Sequence, residues 1–234
     1  VDKMSKSIIL SVIDGSTCYK INQVTSSKFG KHQSRIDFKS LSANLALTAP
    51  NPIITKNLYF YSNKISEGQN LLDVKASQNT FLYSIARYGW EINEVNPDEI
   101  VVFKPYTAAE KQATDDIKII TEYFDKRNFN ISASIKSIYQ ESGIAMMKFQ
   151  ALLEDYYYNI DYDGCDIVAN FIVYNDNYIL PIKNIIKMYP EVKINVYSSY
   201  DRINFLENSF FEEECVNIIK IDNLQVETEE QVSL

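Results

Sequence analysis

Three aspartates stand where carboxylate chemistry could be assembled in this chain: Asp14, Asp155 and Asp176. Asp14 closes the apolar run "SIILSVI", and Asp176 follows "ANFIVYN", a second run of the same design. Short β-branched runs that stop at turn residues read as strands covered on both faces, the pattern of central parallel strands. If the two are neighbours, about 4.8 Å apart, both carboxylates reach one edge of the sheet. The helical stretch "FQALLEDYYYN" is expected to return Asp155 to the same edge, where ligands of open α/β sheets collect. Three carboxylates in one notch repel one another unless a cation neutralises them, and Mg²⁺ or Mn²⁺ suits such oxygen ligands. A metal so held orients and activates water against a phosphodiester.

Each aspartate also has a plainer reading. Asp14-Gly15 is a strand-to-helix turn in which Ser16 or Thr17 caps the next helix, and Asp176 is an N-cap ahead of Tyr178. Asp155, within "EDYYYNIDYD", is a solvated acid.

Composition narrows the chemistry further. The single histidine, His32, reads as a loop residue, which removes histidine metal clusters and leaves a nucleophilic triad only one base. Cys18, Cys165 and Cys215 are odd in number and widely spaced, so neither a disulfide framework nor a cysteine zinc site is expected. The net charge of −8 argues against a broad nucleic-acid surface. A local basic strip remains in "KFGKHQSRIDFK", with Lys28, Lys31, Arg35 and Lys39, and Lys183 follows Asp176. These lysines and arginine are candidate phosphate contacts or solvated surface residues, and the 17 tyrosines and 12 phenylalanines are base-stacking candidates or packing. No run approaches the roughly 20 apolar residues that cross a bilayer, and the opening residues lack a secretory pattern. A cytoplasmic setting without membrane contact is expected.

The elements that must position these residues alternate along the chain. After the first strand, residues 17–38 have no clear period. "LSANLALTAPNP" reads as a short helix, "KNLYFYS" as a strand, "SQNTFLYSIARYG" as a helix stopped at Gly89, and "WEINEV" and "EIVVFKP" as strands. Thr107 to Glu110, "TAAE", is a capping box, and residues 128–158 are mostly helical by pattern. On that helix Met147, Ala151, Leu152 and Asp155 lie close to one side. Strand, helix and strand then recur through "CDIVANFIVYND", a helix beginning near Tyr178, "VKINVYSS", an amphipathic stretch at 202–211 and "VNIIKID". Such alternation predicts an α/β fold, a doubly wound, mostly parallel sheet with helices on both faces. One domain over 1–234 is expected, with a helical insertion at 106–146 and an acidic tail at 225–234, solvated or disordered.

In these motifs the chain resembles the PIN-like nuclease superfamily, most nearly its NYN branch. "DGST" matches that family's Asp-Gly-x-Asn type motif at Asp14 and Gly15 but not at Thr17. "FQALLED" resembles its "DVxLxxD" helix, with Leu152 and Asp155 matching and Phe149 where an acid is usual. "YNDNYILPI" resembles its "SGDSDFxPL" strand end, with Asp176 as the first acid when Leu180-Pro181 is aligned. The second acid is then replaced by Tyr178, or by Asn177 in the other register. The resemblance implies a magnesium- or manganese-dependent ribonuclease for single-stranded RNA, with Asp14, Asp155 and Asp176 as catalytic metal ligands. The missing acids imply an alternative, a catalytically lapsed domain that binds RNA or a protein partner.

A third reading comes from "DGSTC", which approaches the Asp-x-Ser-x-Ser adhesion signature of von Willebrand A domains, with Cys18 in place of the second serine. A phosphate-binding loop and a GxGxxG turn are both lacking, which sets aside nucleotide enzymes of those types.

Overall fold

The computed structural model describes residues 5–29, 35–61, 71–95, 131–221 and 226–227. The expected strand "EIVVFKP" and the capping box at 107–110 lie outside the described residues, as do Lys31 and His32.

Ser7–Asp14 (β1) is buried at every position, which is why its sequence is apolar without alternation. It feeds directly into helix Gly15–Phe29 (α1). There follow a two-residue strand, Arg35–Ile36 (β2), helix Phe38–Leu45 (α2) and strand Pro52–Tyr61 (β3). Helix Leu71–Ala86 (α3) stops just before Gly89, whose φ of 83° is the left-handed conformation that glycine adopts without strain. Strand Trp90–Glu94 (β4) precedes the long helix Ile131–Tyr157 (α4). The second half alternates Asp166–Ile172 (β5), Ile179–Met188 (α5), Lys193–Ser198 (β6), Ile203–Ser209 (α6) and Val216–Lys220 (β7). Val226–Glu227 (β8), at the start of the acidic tail, pairs antiparallel with β2.

Six strands form one sheet in the order β4-β3-β1-β5-β6-β7, and every pairing in it is parallel. The strand order reverses between β1 and β5, so the two runs that end near Asp14 and Asp176 are adjacent, which meets the condition set for their carboxylates to share an edge. Alternate residues of β1 enter different clusters. Ile8, Leu10 and Val12 pack with Phe149, Ile182 and Leu206 from α4, α5 and α6. Ile13 packs with Ile21, Leu41 and Ile85 from α1, α2 and α3. In the second cluster Phe38 makes edge-on ring contacts with Tyr59, Phe81 and Trp90, at centroid separations of 5.2–5.8 Å.

Residues 131–146, expected within an insertion, are the first part of α4 and continuous with the helix that carries Asp155. Ser142, Ala145, Met146, Phe149 and Leu153 are its buried stripe at helical spacing. The side formed by Met147, Ala151 and Asp155 is exposed. Among the described residues no helix is long and apolar enough to cross a membrane.

A row of polar side chains crosses the sheet in register. Asn57, Ser11, Asn170, Asn195 and Asn217 face one another on β3, β1, β5, β6 and β7. Asn217 Nδ2 donates to Asn195 Oδ1 at 3.0 Å, and Asn195 Nδ2 to Asn170 Oδ1 at 2.8 Å. Asn170 Nδ2 donates to Ser11 Oγ at 3.2 Å and lies 3.3 Å from Thr48 Oγ1. Asn217, Asn195, Asn170 and Ser11 are thereby linked inside the sheet, which a lone buried amide could not achieve, whereas Asn57 Oδ1, at the β3 end of the row, is left without a hydrogen-bond partner.

Candidate site at the carboxyl edge of the sheet

Asp14 is the last residue of β1 and is completely buried. Its Oδ1 accepts the Thr17 backbone amide and the Ser16 hydroxyl, both at 2.6 Å. The carboxylate itself therefore caps α1, satisfying an amide that the first turn leaves free. Its Oδ2 accepts the Thr17 hydroxyl at 3.2 Å and the hydroxyl of Tyr178, which stands just before α5. Ser142 of α4 contributes a further hydrogen bond. A carboxylate offers about four lone-pair positions, and the five donors around Asp14 more than fill them. Desolvation nevertheless dominates and raises the Asp14 carboxyl above its ordinary value, against the lowering effect of the bonds from Ser16, Thr17 and Ser142.

Asp176 lies differently. Its side chain is 66% exposed and forms an ion pair with Arg202, the residue before α6. It does not cap the short turn that it opens; Asn175 stands at the cap position, without a side-chain bond. Tyr178, two residues on, is the group that meets Asp14. One alignment of the "YNDNYILPI" motif put Tyr178 in the place of the second acid.

Asp155 is exposed near the carboxyl end of α4. Ser142 of the same helix reaches Asp14, and Asp155 follows about 20 Å further along the axis at ~1.5 Å per residue. The direction of the chain explains this. A crossover helix that leaves the carboxyl edge must end towards the amino edge, from which β5 starts, so a residue near its end is carried away from Asp14. Its neighbour Glu154 is held by Tyr189 and Gln150, whose hydrogen bonds lower its pKa. Phe149 fills the core against Phe171, at a centroid distance of 4.8 Å.

Among the described residues no group of three or more His, Cys, Asp or Glu side chains is placed to hold a metal ion, so Asp14, Asp155 and Asp176 form no such group. The donor set does not suit a divalent cation either. At Asp14 an ion would have to displace a buried hydrogen-bond donor, and Asp176 is engaged by Arg202.

Of the basic candidates, Arg35 and Lys39 are exposed on β2 and α2, and Lys28 lies in the last turn of α1. Lys183 is half-buried on α5, its ammonium 6.0 Å from the Phe210 ring centroid. The pattern of residues did not single out Arg202 or Ser142, since neither belongs to a motif. Only the adjacency of β5 and β6 brings Arg202 to Asp176.

No protein-family model, curated protein or solved structure matches the chain.

Proposed function

We propose that this chain is a PIN-like, doubly wound α/β domain that has given up metal-dependent cleavage and keeps the binding of single-stranded RNA. The observation that carries the reading is the hydrogen bond from Tyr178 to Asp14. At the position of an expected metal ligand it puts a phenol, which closes the carboxylate into the packing of α1, α4 and the turn before α5. The alternate residues of β1, packed with different sets of helices, support the doubly wound arrangement with helices on both faces. Exposed Arg35 and Lys39 supply local positive charge on an otherwise acidic chain, which suits a limited phosphate contact.

The test is RNA binding and cleavage by the full chain with and without Mn²⁺. Retention of a labelled single-stranded RNA in EDTA, with no cleavage when Mn²⁺ is added, is the expected result. Cleavage that requires Mn²⁺ and disappears in Asp14→Asn would restore the nuclease reading. Affinity should fall as salt rises and fall less steeply in the Arg35→Gln/Lys39→Gln double variant; a salt-independent affinity counts against the phosphate contact.

A further inference from the structure

We infer that the loops following β5 and β6, residues 173–178 and 199–202, form a recognition site for one unpaired base of bound RNA, centred on Asn177 and Arg202. The inference rests on the RNA-binding reading and assigns a site to it.

Asn177 is caught between two anchors. Its predecessor Asp176 is tied to Arg202 beyond β6, and its successor Tyr178 is tied to Asp14 at the end of β1. The loop after β5 is also joined to the end of β6 by the Ser198 hydroxyl on the Val173 carbonyl at 2.5 Å, and to the loop after β6 by the Tyr174 hydroxyl on Asp201 at 2.9 Å. Among the described residues four buried side-chain polar atoms have no hydrogen-bond partner, and three of them are Asn177 Nδ2, Asn177 Oδ1 and Arg202 Nε. Buried polar groups are nearly always satisfied, so their concentration in two adjacent loops points to a group that completes them. The location agrees, because the strand order reverses beside it.

The chemistry of the missing partner follows from the atoms. Asn177 presents an acceptor beside donors in one plane, and Arg202 Nε adds a donor. The edge of a base carries donors and acceptors side by side in the complementary way, which is how asparagine pairs with adenine. The Arg202 guanidinium also lies 4.3 Å from the Phe205 ring centroid and 5.7 Å from that of Tyr174. Phe205 and Tyr200 are each 37% exposed. Guanidinium planes and aromatic rings are the surfaces on which unpaired bases stack. Charge selects the base over the backbone: Asp176 and Asp201 outnumber Arg202, so a phosphate would be repelled where a neutral ring would not. The Asn177 atoms are enclosed, so a base reaches them only when the loops shift, and the neighbouring ion pair, whose Asp176 side chain is 66% exposed, resists such a shift weakly.

Fluorescence anisotropy of the full chain with a labelled single-stranded RNA, and with the same RNA carrying abasic positions, tests the site. Asn177→Ala and Arg202→Lys should each weaken the base-bearing RNA about tenfold, as expected for lost hydrogen bonds and a lost stacking plane. Neither should alter the salt slope, since no phosphate contact is removed. Abasic RNA should bind wild type and both variants alike. Variants that bind the base-bearing RNA as wild type does, or whose loss appears as a shallower salt slope, overturn this site and leave RNA binding standing. A wild-type chain that retains no RNA overturns both. If circular dichroism shows that Asn177→Ala is unfolded, Arg202→Lys, which keeps the charge facing Asp176, decides the matter alone.

Discussion

The hydroxyl of Tyr178 donates to the buried carboxyl of Asp14 across 164 residues of chain. It ties the segment before α5 to the end of β1, two elements that only the parallel pairing of β1 with β5 brings together. Tyr178→Phe keeps the ring and removes this bond alone. It should lower stability by about 1–3 kcal/mol, the cost of leaving a buried polar group short of a partner. A urea midpoint equal to that of wild type would show that the bond contributes nothing net.

Asp14 gives a pH dependence with a definite sign. Burial raises its pKa in the folded chain, so the folded state holds the proton more tightly than the unfolded chain does. The resulting stabilisation is complete below the unfolded value, about pH 4, and is lost as pH rises through the folded value. Asp14→Asn keeps an acceptor for the Thr17 amide and cannot ionise. Its melting temperature should therefore gain on wild type as pH is raised from about 4 to 7, and a difference that stays flat over that range would contradict the raised pKa.

Phe149 occupies the position of an expected acid but is fully buried against Phe171. Phe149→Ala should cost about 3–5 kcal/mol in chemical denaturation, as large-to-small changes in aromatic cores do. Phe149→Asp, intended to restore the acid, should prevent folding, because the carboxylate would enter an apolar cluster. A folded Phe149→Asp chain that binds Mn²⁺ would reverse this conclusion.

The amide row makes a comparison between its middle and its end. Asn170→Ala removes the acceptor of Asn195 and the donor to Ser11, and should cost about 1–3 kcal/mol. Asn217→Ala, at the exposed end of the row, should cost within about 0.5 kcal/mol. Equal effects in urea denaturation would mean that the row does not act as a connected set.

Much of the fold was legible because its signals are local. Uninterrupted burial wrote β1 and β5 as apolar runs, and Gly89 marked the end of α3 through its backbone conformation. Helix α1 was not legible, since its buried positions include Thr17 and Thr25 beside Cys18 and Ile21, and the threonines break the apolar stripe; the Thr25 hydroxyl bonds back to the Ile21 carbonyl instead. The position of Asp155 was not legible because helical spacing sets a face but not which end of the sheet a residue reaches, and α4 runs from Ser142 at Asp14 away towards the start of β5. Asp14 was correctly placed at a strand end, yet its partners were hidden. Tyr178 and Ser142 reach it through the crossing of distant elements, which no local pattern encodes.

The row of asparagines has a consequence for how the sheet is assembled. Its members lie in line only when four neighbouring strand pairs adopt one alignment together, so a strand that slid by a single residue would strand several amides at once. Apolar side chains tolerate such a slip more readily, since one greasy contact substitutes for another. The amides thus work as a vernier, rejecting near-miss alignments that hydrophobic collapse alone would accept.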